Sequence, residues 1–147
     1  MPLDRRRFAP IATDCLARKF RMLGRAVTAL YDEALRGHGL KVSQMNVLVA
    51  VAVMGPTRQA AVAEQLLLEK STLSRNVERL RQSGWIAVTG GEDGRSHELS
   101  LTPAGRELLE ELTPAWRGVQ RRARRLVGEE AVQTVDRMVA ALGGPSA

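Results

Sequence analysis

The chain has 147 residues, of which 44% are hydrophobic and 26% charged, and its formal net charge is +6. This length allows one ordinary domain with a core, and the composition predicts that most of the chain folds. The single cysteine, Cys15, excludes an intrachain disulfide and fits a reducing cytosol. No N-terminal run is apolar enough for a signal peptide or a membrane span, so we expect a cytoplasmic protein with no membrane partner. The basic balance is compatible with nucleic-acid binding, although a genome rich in arginine codons would also produce it.

The first predicted element is a long amphipathic helix between Thr13 and Arg36, which Gly37 and Gly39 end. Its apolar residues recur every three or four positions, at Leu16, Phe20, Leu23, Val27, Leu30 and Ala34. At the usual rise per residue the helix would be roughly 36 Å long. A helix of this length has more apolar surface than a small neighbouring core covers. We therefore expect it to pack against other long helices, of this chain or of a second one.

Two further helices are predicted before residue 70. The apolar run after Ser43 fits a buried strand or a buried helix, and its length of about a dozen residues before Gly55 and Pro56 favours the helix. Ser43 is then a plausible N-cap, and Thr57 is predicted to cap the short helix that follows. The apolar residues of that short helix are Val62, Ala63, Leu66 and Leu67.

A third helix is predicted from Lys70 or Ser71 to about Ser83. Leu73, Val77 and Leu80 share one face, because successive residues are separated by about 100° around a helix. The opposite face is polar and carries Ser71, Arg75, Glu78, Arg79 and Gln82, with Thr72 at its edge. After this helix, the runs 85–89 and 97–101 are typical of two short strands that flank a Gly-rich loop as a β-hairpin.

The C-terminal part is predicted to be helical. Thr102 and Pro103 form a strong helix start, with Thr at the N-cap and Pro at the first helical position. The helix continues to about Val127, and Pro114 is expected to kink or divide it. Gly128 ends it, and a last helix begins at Glu129.

Two short helices, a tight turn and a hairpin in this order are typical of a winged helix-turn-helix, and four segments resemble the MarR family of bacterial transcription regulators. The segments are VAEQL (62–66), KSTLSRNVERLRQSGWI (70–86), EDGRS (92–96) and LTPAGREL (101–108), in the family's order and spacing. The resemblance covers about residues 12 to 142. One departure is Leu67-Leu68 at the corner of the helix-turn-helix, where a Gly is common.

The resemblance implies a mainly α fold with a small β-hairpin wing, a winged helix-turn-helix joined to a helical dimerisation region. We expect an N-terminal dimerisation helix in residues 1–36, the winged domain in 40–103 and C-terminal dimerisation helices in 104–147, as one intertwined domain. A homodimer would read a pseudo-palindrome whose half-sites are about one helical turn apart. The alternative is a monomer whose long helices pack internally.

The helix from residue 70 to 83 is the candidate recognition helix, because an α-helix fits the major groove of double-stranded DNA. Its DNA-binding candidates are Ser71, Thr72, Ser74, Arg75 and Arg79. The hydroxyls can donate to phosphates or bases, and the arginines can reach guanine or phosphate. Glu78 lies between the two arginines and could hold them or read a cytosine amine. The alternative is the solvated face of an ordinary surface helix.

The hairpin loop supplies the candidate wing contacts Asp93, Arg95 and Ser96. The resemblance implies that Arg95 enters the minor groove and that Asp93 hydrogen-bonds it, with Ser96 near the phosphates. The narrow minor groove attracts a guanidinium through its enhanced negative potential, and a carboxylate would lower the entropy cost of ordering that side chain. The alternative is a simple hairpin turn with a chance ion pair.

The resemblance also implies a small effector, often phenolic or anionic and apolar, bound between the dimer helices and the winged domain. Candidate pocket residues are Leu23, Val27, Tyr31, Met45 and Leu48, for each of which a core role is the competing interpretation. Some relatives sense peroxide through a cysteine on the first helix, so Cys15 is a redox candidate, although a lone cysteine is more often a small buried hydrophobe. No Cys or His spacing fits a metal site, and no nucleophile–base pair or phosphate loop occurs, so we expect no metal, no cofactor and no enzyme activity.

These observations lead to one functional hypothesis and two alternatives. The hypothesis is a homodimeric, sequence-specific DNA-binding transcriptional regulator, a ligand-responsive repressor of pseudo-palindromic operator DNA. The first alternative is a winged-helix adaptor that binds proteins without reading DNA. The second is a redox-sensing regulator that depends on Cys15.

Overall fold

The computed structural model describes residues 5–90 and 97–144. In chain order its elements are α1 (Arg5–Asp14), α2 (Leu16–Leu35), a 3-10 turn (Arg36–His38), α3 (Val42–Met54), β1 (Thr57–Arg58), α4 (Gln59–Gln65), α5 (Lys70–Gln82), β2 (Ile86–Gly90), β3 (His97–Leu101), α6 (Pro103–Val127) and α7 (Glu129–Ala141). The fold is mainly α with a small antiparallel sheet, which confirms the expected class. Within the described ranges, no helix combines the length and the apolar character that crossing a membrane requires.

The N-terminal helix is interrupted where the sequence predicted continuity. Cys15 has an extended backbone, with ψ of 109°, and separates α1 from α2. The Arg18 side chain donates from its Nη1 to the carbonyl of Ala12 at 2.6 Å, which satisfies one of the carbonyls that the end of α1 leaves free. The predicted end is confirmed, because the 3-10 turn closes α2 and Gly39 takes a left-handed φ of 72°.

The start of α3 corrects the prediction of Ser43 as its N-cap. The helix begins at Val42, whose backbone N–H donates to Asp32 Oδ1 on α2 at 2.8 Å. Gln44 Oε1 accepts from the backbone N–H of Lys41 at 2.8 Å. The helix end is thus capped by a residue ten positions earlier, which local spacing does not reveal. The choice of helix over strand for this run is confirmed.

Thr57 is a strand residue and does not cap α4. Thr57 and Arg58 pair antiparallel with Leu99 and Glu98 of β3, so β1 forms one edge of a sheet with the order β1-β3-β2. The predicted hairpin is confirmed, with Ile86 opposite Leu101 and Gly90 opposite His97. A two-residue strand is too short to show the alternation of apolar and polar residues from which a strand is predicted. It forms only because β3 offers it hydrogen bonds.

The core lies within the winged part of the chain and under the end of α2. Its large, fully buried side chains are Leu35, Val47, Leu48, Val51, Val62, Leu73, Leu80, Ile86 and Leu99. By contrast, neither α1 nor α7 has a buried residue in its described span. The centre of the protein is therefore complete in one chain, while the two ends leave apolar side chains exposed.

Helix α6 is continuous from Pro103 to Val127, so Pro114 does not divide it. Thr102 is the N-cap, as predicted, and its Oγ1 accepts from the N–H of Gly105 at 3.0 Å. Pro114 has no N–H to donate to the carbonyl of Glu110. Both residues are exposed, so water can donate a hydrogen bond to the Glu110 carbonyl in place of the missing N–H. The helix therefore continues past Pro114.

The corner between α4 and α5 has a helix-terminating hydrogen-bond pattern with an unusual residue. Leu68 N–H donates to the carbonyl of Ala63 at 2.9 Å, and Leu67 N–H donates to that of Glu64 at 3.2 Å. This closure places one residue in the left-handed region, and here that residue is Leu67, with φ of 50°. A branched side chain is strained in this conformation, whereas glycine is not.

Replacing Leu67 with glycine is expected to stabilise the fold. The Leu67 side chain is 61% exposed, so its removal loses little packing. Relief of the left-handed strain exceeds the extra chain entropy of glycine, and the net gain should be about 0.5–1 kcal/mol in the free energy of urea unfolding. Gln65→Gly, at the last residue of α4, is the control and should lose up to about 1 kcal/mol, because the backbone there is not left-handed. Destabilisation by both substitutions would contradict the strain at Leu67.

Candidate nucleic-acid interface

Helix α5 is held to the core by one face and presents the other to solvent. Leu73, Val77 and Leu80 are buried, as their spacing predicted. Asn76 is also buried, a placement that its polar side chain did not predict. The orientation of the helix is thereby fixed, which makes its outer face a rigid surface.

The outer face presents the predicted DNA-binding side chains together. Ser71, Ser74, Arg75 and Arg79 are exposed, and Thr72 is half-buried. Arg75 Nη2 donates to Thr72 Oγ1 at 3.4 Å, a long bond between neighbouring turns. In the described part of the chain neither Arg75 nor Arg79 forms an ion pair, so both guanidinium charges face solvent. The face can donate hydrogen bonds and attract an anion.

Glu78 pairs with Arg81, not with Arg75 and Arg79 as its position had suggested. Arg81 donates to both carboxylate oxygens, at 2.9 and 2.7 Å, and Gln82 Nε2 donates at 2.8 Å. The hydrogen bond from Arg81, and after it the smaller effect of the bond from Gln82, lowers the pKa of Glu78. The bond to Glu78 in turn raises the pKa of Arg81. The spacing of three residues could have revealed this pair. Because the Glu78 carboxylate is paired with Arg81, it does not neutralise the positive charges of Arg75 and Arg79.

Asp93, Arg95 and Ser96 lie outside the described residues. The structure gives the two strands that lead into and out of their loop, with Gly90 opposite His97 at the last described pair. The contacts proposed for these three side chains therefore remain predictions.

A backbone joint connects the end of α5 to the start of α6. Thr102 Oγ1 donates to the carbonyl of Gly84 at 2.7 Å, and Thr102 N–H donates to that of Trp85 at 3.1 Å. Gly105 packs directly on the Trp85 carbonyl, so closely that a β-carbon there would overlap it. The end of α5 and the start of the long helix α6 are thus joined through the backbone of residues 84 and 85 and the short side chain of Thr102.

Three of the five candidate effector residues line one depression. Val27, Tyr31 and Met45 surround it with Trp116 and Gln120, and its volume is about 340 Å³. Leu48 is fully buried in the core. Leu23 is exposed on α2 and does not line this depression. At this position Leu48 contributes to the packing of the core. An effector role for the other four candidate residues remains a prediction.

The Tyr31 hydroxyl donates to Gln120 Oε1 and links α2 to α6. Partial burial raises the pKa of Tyr31 above its ordinary value, and the nearby Arg124 partly opposes this by attracting the phenolate. Arg124 itself is paired with Glu129, its Nε lying 3.2 Å from Oε2. This pairing places one residue of the basic run 121–125 in contact with a carboxylate of the same chain.

Alkaline titration should detect the environment of Tyr31. It is the only tyrosine of the chain, so phenolate absorbance reports on it alone. The midpoint is expected above 10.0 in the folded protein, to return to that ordinary value in urea, and to rise further in Arg124→Gln. Because the folded pKa is raised, the associated stability is present below pH 10 and is lost as the pH rises through the folded pKa. Equal midpoints for folded and unfolded protein would contradict the burial.

Cys15 is half-buried at the break between α1 and α2. Its proposed redox role remains a prediction. Among the described residues, no group of three His, Cys, Asp or Glu side chains is arranged to hold a metal ion.

Comparison with known proteins places this geometry in a family. The MarR family model matches residues 38–96. The HTH-type transcriptional regulator YwoH of Bacillus subtilis is 32% identical over 88 residues, which cover 60% of this chain and 64% of YwoH. Across the curated relatives that it matches, the chain spans between 49% and 64% of the relative's length.

Solved structures extend the similarity to most of the chain. The transcriptional regulator MosR of M. tuberculosis, crystallised with DNA, is 33% identical with a TM-score of 0.78, over 88% of this chain and 94% of MosR. BpsR of Bordetella bronchiseptica, whose DNA binding is regulated by 6-hydroxynicotinic acid, is 19% identical with a TM-score of 0.77, over 88% of this chain and 94% of BpsR. At 19% identity, the similarity to BpsR shows a shared fold alone. Together, the family match over the helix-turn-helix and the close structural relative show that this chain belongs to the MarR family.

Proposed function

We propose that the protein is a homodimeric, sequence-specific DNA-binding transcriptional regulator that represses its target and responds to a small effector. The observation that carries the proposal is the outer face of α5. Ser71, Ser74, Arg75 and Arg79 are exposed together on a helix whose other face is locked into the core. Arg75 and Arg79, which form no ion pair with any described residue, supply the positive charge that binding to DNA requires.

The relatives support DNA as the partner. MosR was crystallised with DNA and shares 33% identity with this chain over nearly its whole length. The recognition helix would enter the major groove, where an arginine can donate two hydrogen bonds to guanine O6 and N7. Lys70 and the hydroxyls at the start of α5 would contact the flanking phosphates.

Exposed apolar residues at both ends of the chain support a dimer. Those on α1, α2, α6 and α7, or directly after α7, are Phe8, Ile11, Leu16, Phe20, Met22, Leu23, Trp116, Leu126, Val127, Val135, Met138, Val139 and Leu142. Monomeric proteins rarely expose so many large apolar side chains on adjoining helices. A second copy that covers them by two-fold symmetry would place two α5 helices on successive major grooves.

The effector site would be the depression lined by Val27, Tyr31, Met45, Trp116 and Gln120. It lies between α2 and α6 of the proposed dimerisation region and α3 of the winged part. A phenolic or anionic apolar molecule bound there would change the spacing of the two α5 helices. It would shift DNA affinity only by its different affinity for the two shapes.

Binding to labelled duplexes at several salt concentrations tests the proposal. One duplex carries the region upstream of the protein's own gene, and the control is a scrambled duplex of equal composition. We expect tighter binding to the upstream duplex and a protein mass of two chains in sedimentation. Equal affinity for the two duplexes would refute sequence-specific binding there, and a winged protein without any DNA affinity would instead support the adaptor alternative.

A further inference from the structure

A depression with cationic side chains at its edge lies beside α5, where β1, α4, α5 and the first residue of β3 meet. Its volume is about 320 Å³, and its cationic side chains are Arg58 and Lys70. Ser74, Gln59 and His97 complete its polar lining over an apolar floor that includes Leu73. No carboxylate occurs among the described residues that line it. The depression is therefore suited to an anion.

The hydroxyl of Ser74 is held by Gln59, the first residue of α4. Gln59 Nε2 donates to Ser74 Oγ at 2.8 Å, across the helix-turn-helix. A hydroxyl has one hydrogen to donate and two lone pairs that accept. Gln59 occupies one lone pair of the Ser74 hydroxyl and leaves its O–H able to donate to another group. Gln59 thus fixes the position of the Ser74 oxygen and favours its use as a donor.

We propose that a phosphate of the DNA backbone binds in this depression, and that Gln59 is a positioning residue that aims the Ser74 hydroxyl at it. Arg58 and Lys70 supply the positive charge, and Ser74 supplies the directed hydrogen bond. The inference rests on the proposed DNA-binding function. It adds two residues, Arg58 and Gln59, that lie outside the recognition helix and the wing.

The salt dependence of DNA affinity tests the phosphate. Each neutralised phosphate contributes about 0.9 to the slope of log affinity against log salt for double-stranded DNA. Arg58→Gln should therefore lower that slope by about 0.9. It should also weaken binding to the upstream duplex and to the scrambled duplex by the same factor. Arg137→Gln on α7 removes an equal charge far along the chain and should leave the slope unchanged. An unchanged slope in Arg58→Gln would overturn the phosphate site.

A double-mutant cycle tests the positioning role. Gln59→Met keeps the length of the side chain but loses the donor, and it should weaken binding about threefold, the usual size of one hydrogen bond. In a Ser74→Ala background the same substitution should have no further effect, because Gln59 acts through Ser74. Gln65→Met, at the other end of α4, is the matched control and should bind as the parent does.

The outcomes separate this inference from the proposed function. The positioning role would be overturned if Gln59→Met lowered DNA affinity threefold in both the parent and the Ser74→Ala background. It would also be overturned if a shift in melting temperature accounted for the lost affinity. A change of base preference in Ser74→Ala, in place of uniform weakening, would overturn the phosphate assignment. If the parent protein binds no duplex, the proposed function fails as well. If the parent binds and Arg75→Ala weakens it while the Arg58 and Gln59 variants match their controls, only this inference fails.

Discussion

Arg75→Ala is expected to weaken binding to the preferred duplex about 30-fold, a loss of about 2 kcal/mol that is typical of a bidentate contact to guanine. Arg75 is exposed on the second turn of α5, and its only described partner is a long bond to Thr72. Little energy is therefore needed to release it for DNA. Fluorescence anisotropy with the upstream duplex and single-base variants of it measures the effect.

The double variant Glu78→Gln/Arg81→Gln is the control on the same helix. Arg81 donates to both oxygens of Glu78, so its guanidinium is already engaged by a carboxylate. Removing both partners leaves the net charge of the helix unchanged and frees no carboxylate, so we expect this variant to stay within about twofold of the parent, the range of an exposed ion pair. Loss of discrimination at one base pair in Arg75→Ala alone would support base reading. Equal losses in both variants would show that the loss in Arg75→Ala does not depend on a contact of Arg75 with a base.

The pair Glu78–Arg81 explains how an acidic residue would be tolerated on a helix that binds DNA. A free carboxylate near a phosphate would repel it, yet this one is held by Arg81 and Gln82, and its pKa is lowered by those bonds. The pair is neutral as a whole, so the exposed charges of Arg75 and Arg79 keep this face positive.

Local patterns predicted the elements whose causes are local. The two faces of α5, the N-cap at Thr102 and the end of α6 at Gly128 follow from residue spacing and backbone preference, and the structure confirms them. The apolar run after Ser43 was correctly assigned to a helix by its length. Each of these features is decided within about one turn of chain.

Features that depend on distant partners could not be predicted in this way. Asp32 caps α3 from the preceding helix, and β1 exists because β3 pairs with it. Gln59 reaches Ser74 only after the helix-turn-helix has folded. The break at Cys15 is likewise supported by Arg18, which bonds back across it. Sequence spacing within one element does not contain these contacts, so it predicted the polar outer face of α5 but not the bond from Gln59 to Ser74.

The joint between α5 and α6 matters because the proposed regulation must pass through it. An effector between the long helices can change the spacing of the α5 helices only if the winged part moves with α6. Thr102 bonds to both Gly84 and Trp85, and Gly105 lies against the Trp85 carbonyl. Such a junction is rigid, because only the short side chain of Thr102 and the backbone of Gly105 meet the backbone of residues 84 and 85.

Gly105→Ala is therefore expected to cost about 3 kcal/mol in the free energy of unfolding, at the upper end of the usual cost of overpacking. A β-carbon at Gly105 would overlap the Trp85 carbonyl oxygen and lie 2.8 Å from Leu101 Cδ1. The backbone of Trp85 cannot yield easily, since its carbonyl also accepts from Thr102. Gly118→Ala on the same helix is the control, because nothing lies within 4 Å of its β-carbon position. It should stabilise the helix by about 0.5–1 kcal/mol, the ordinary preference for alanine over glycine. Urea unfolding of both variants measures the difference, and a neutral Gly105→Ala would show that α6 can move away from Trp85 at little cost, which would remove the rigid joint from the mechanism.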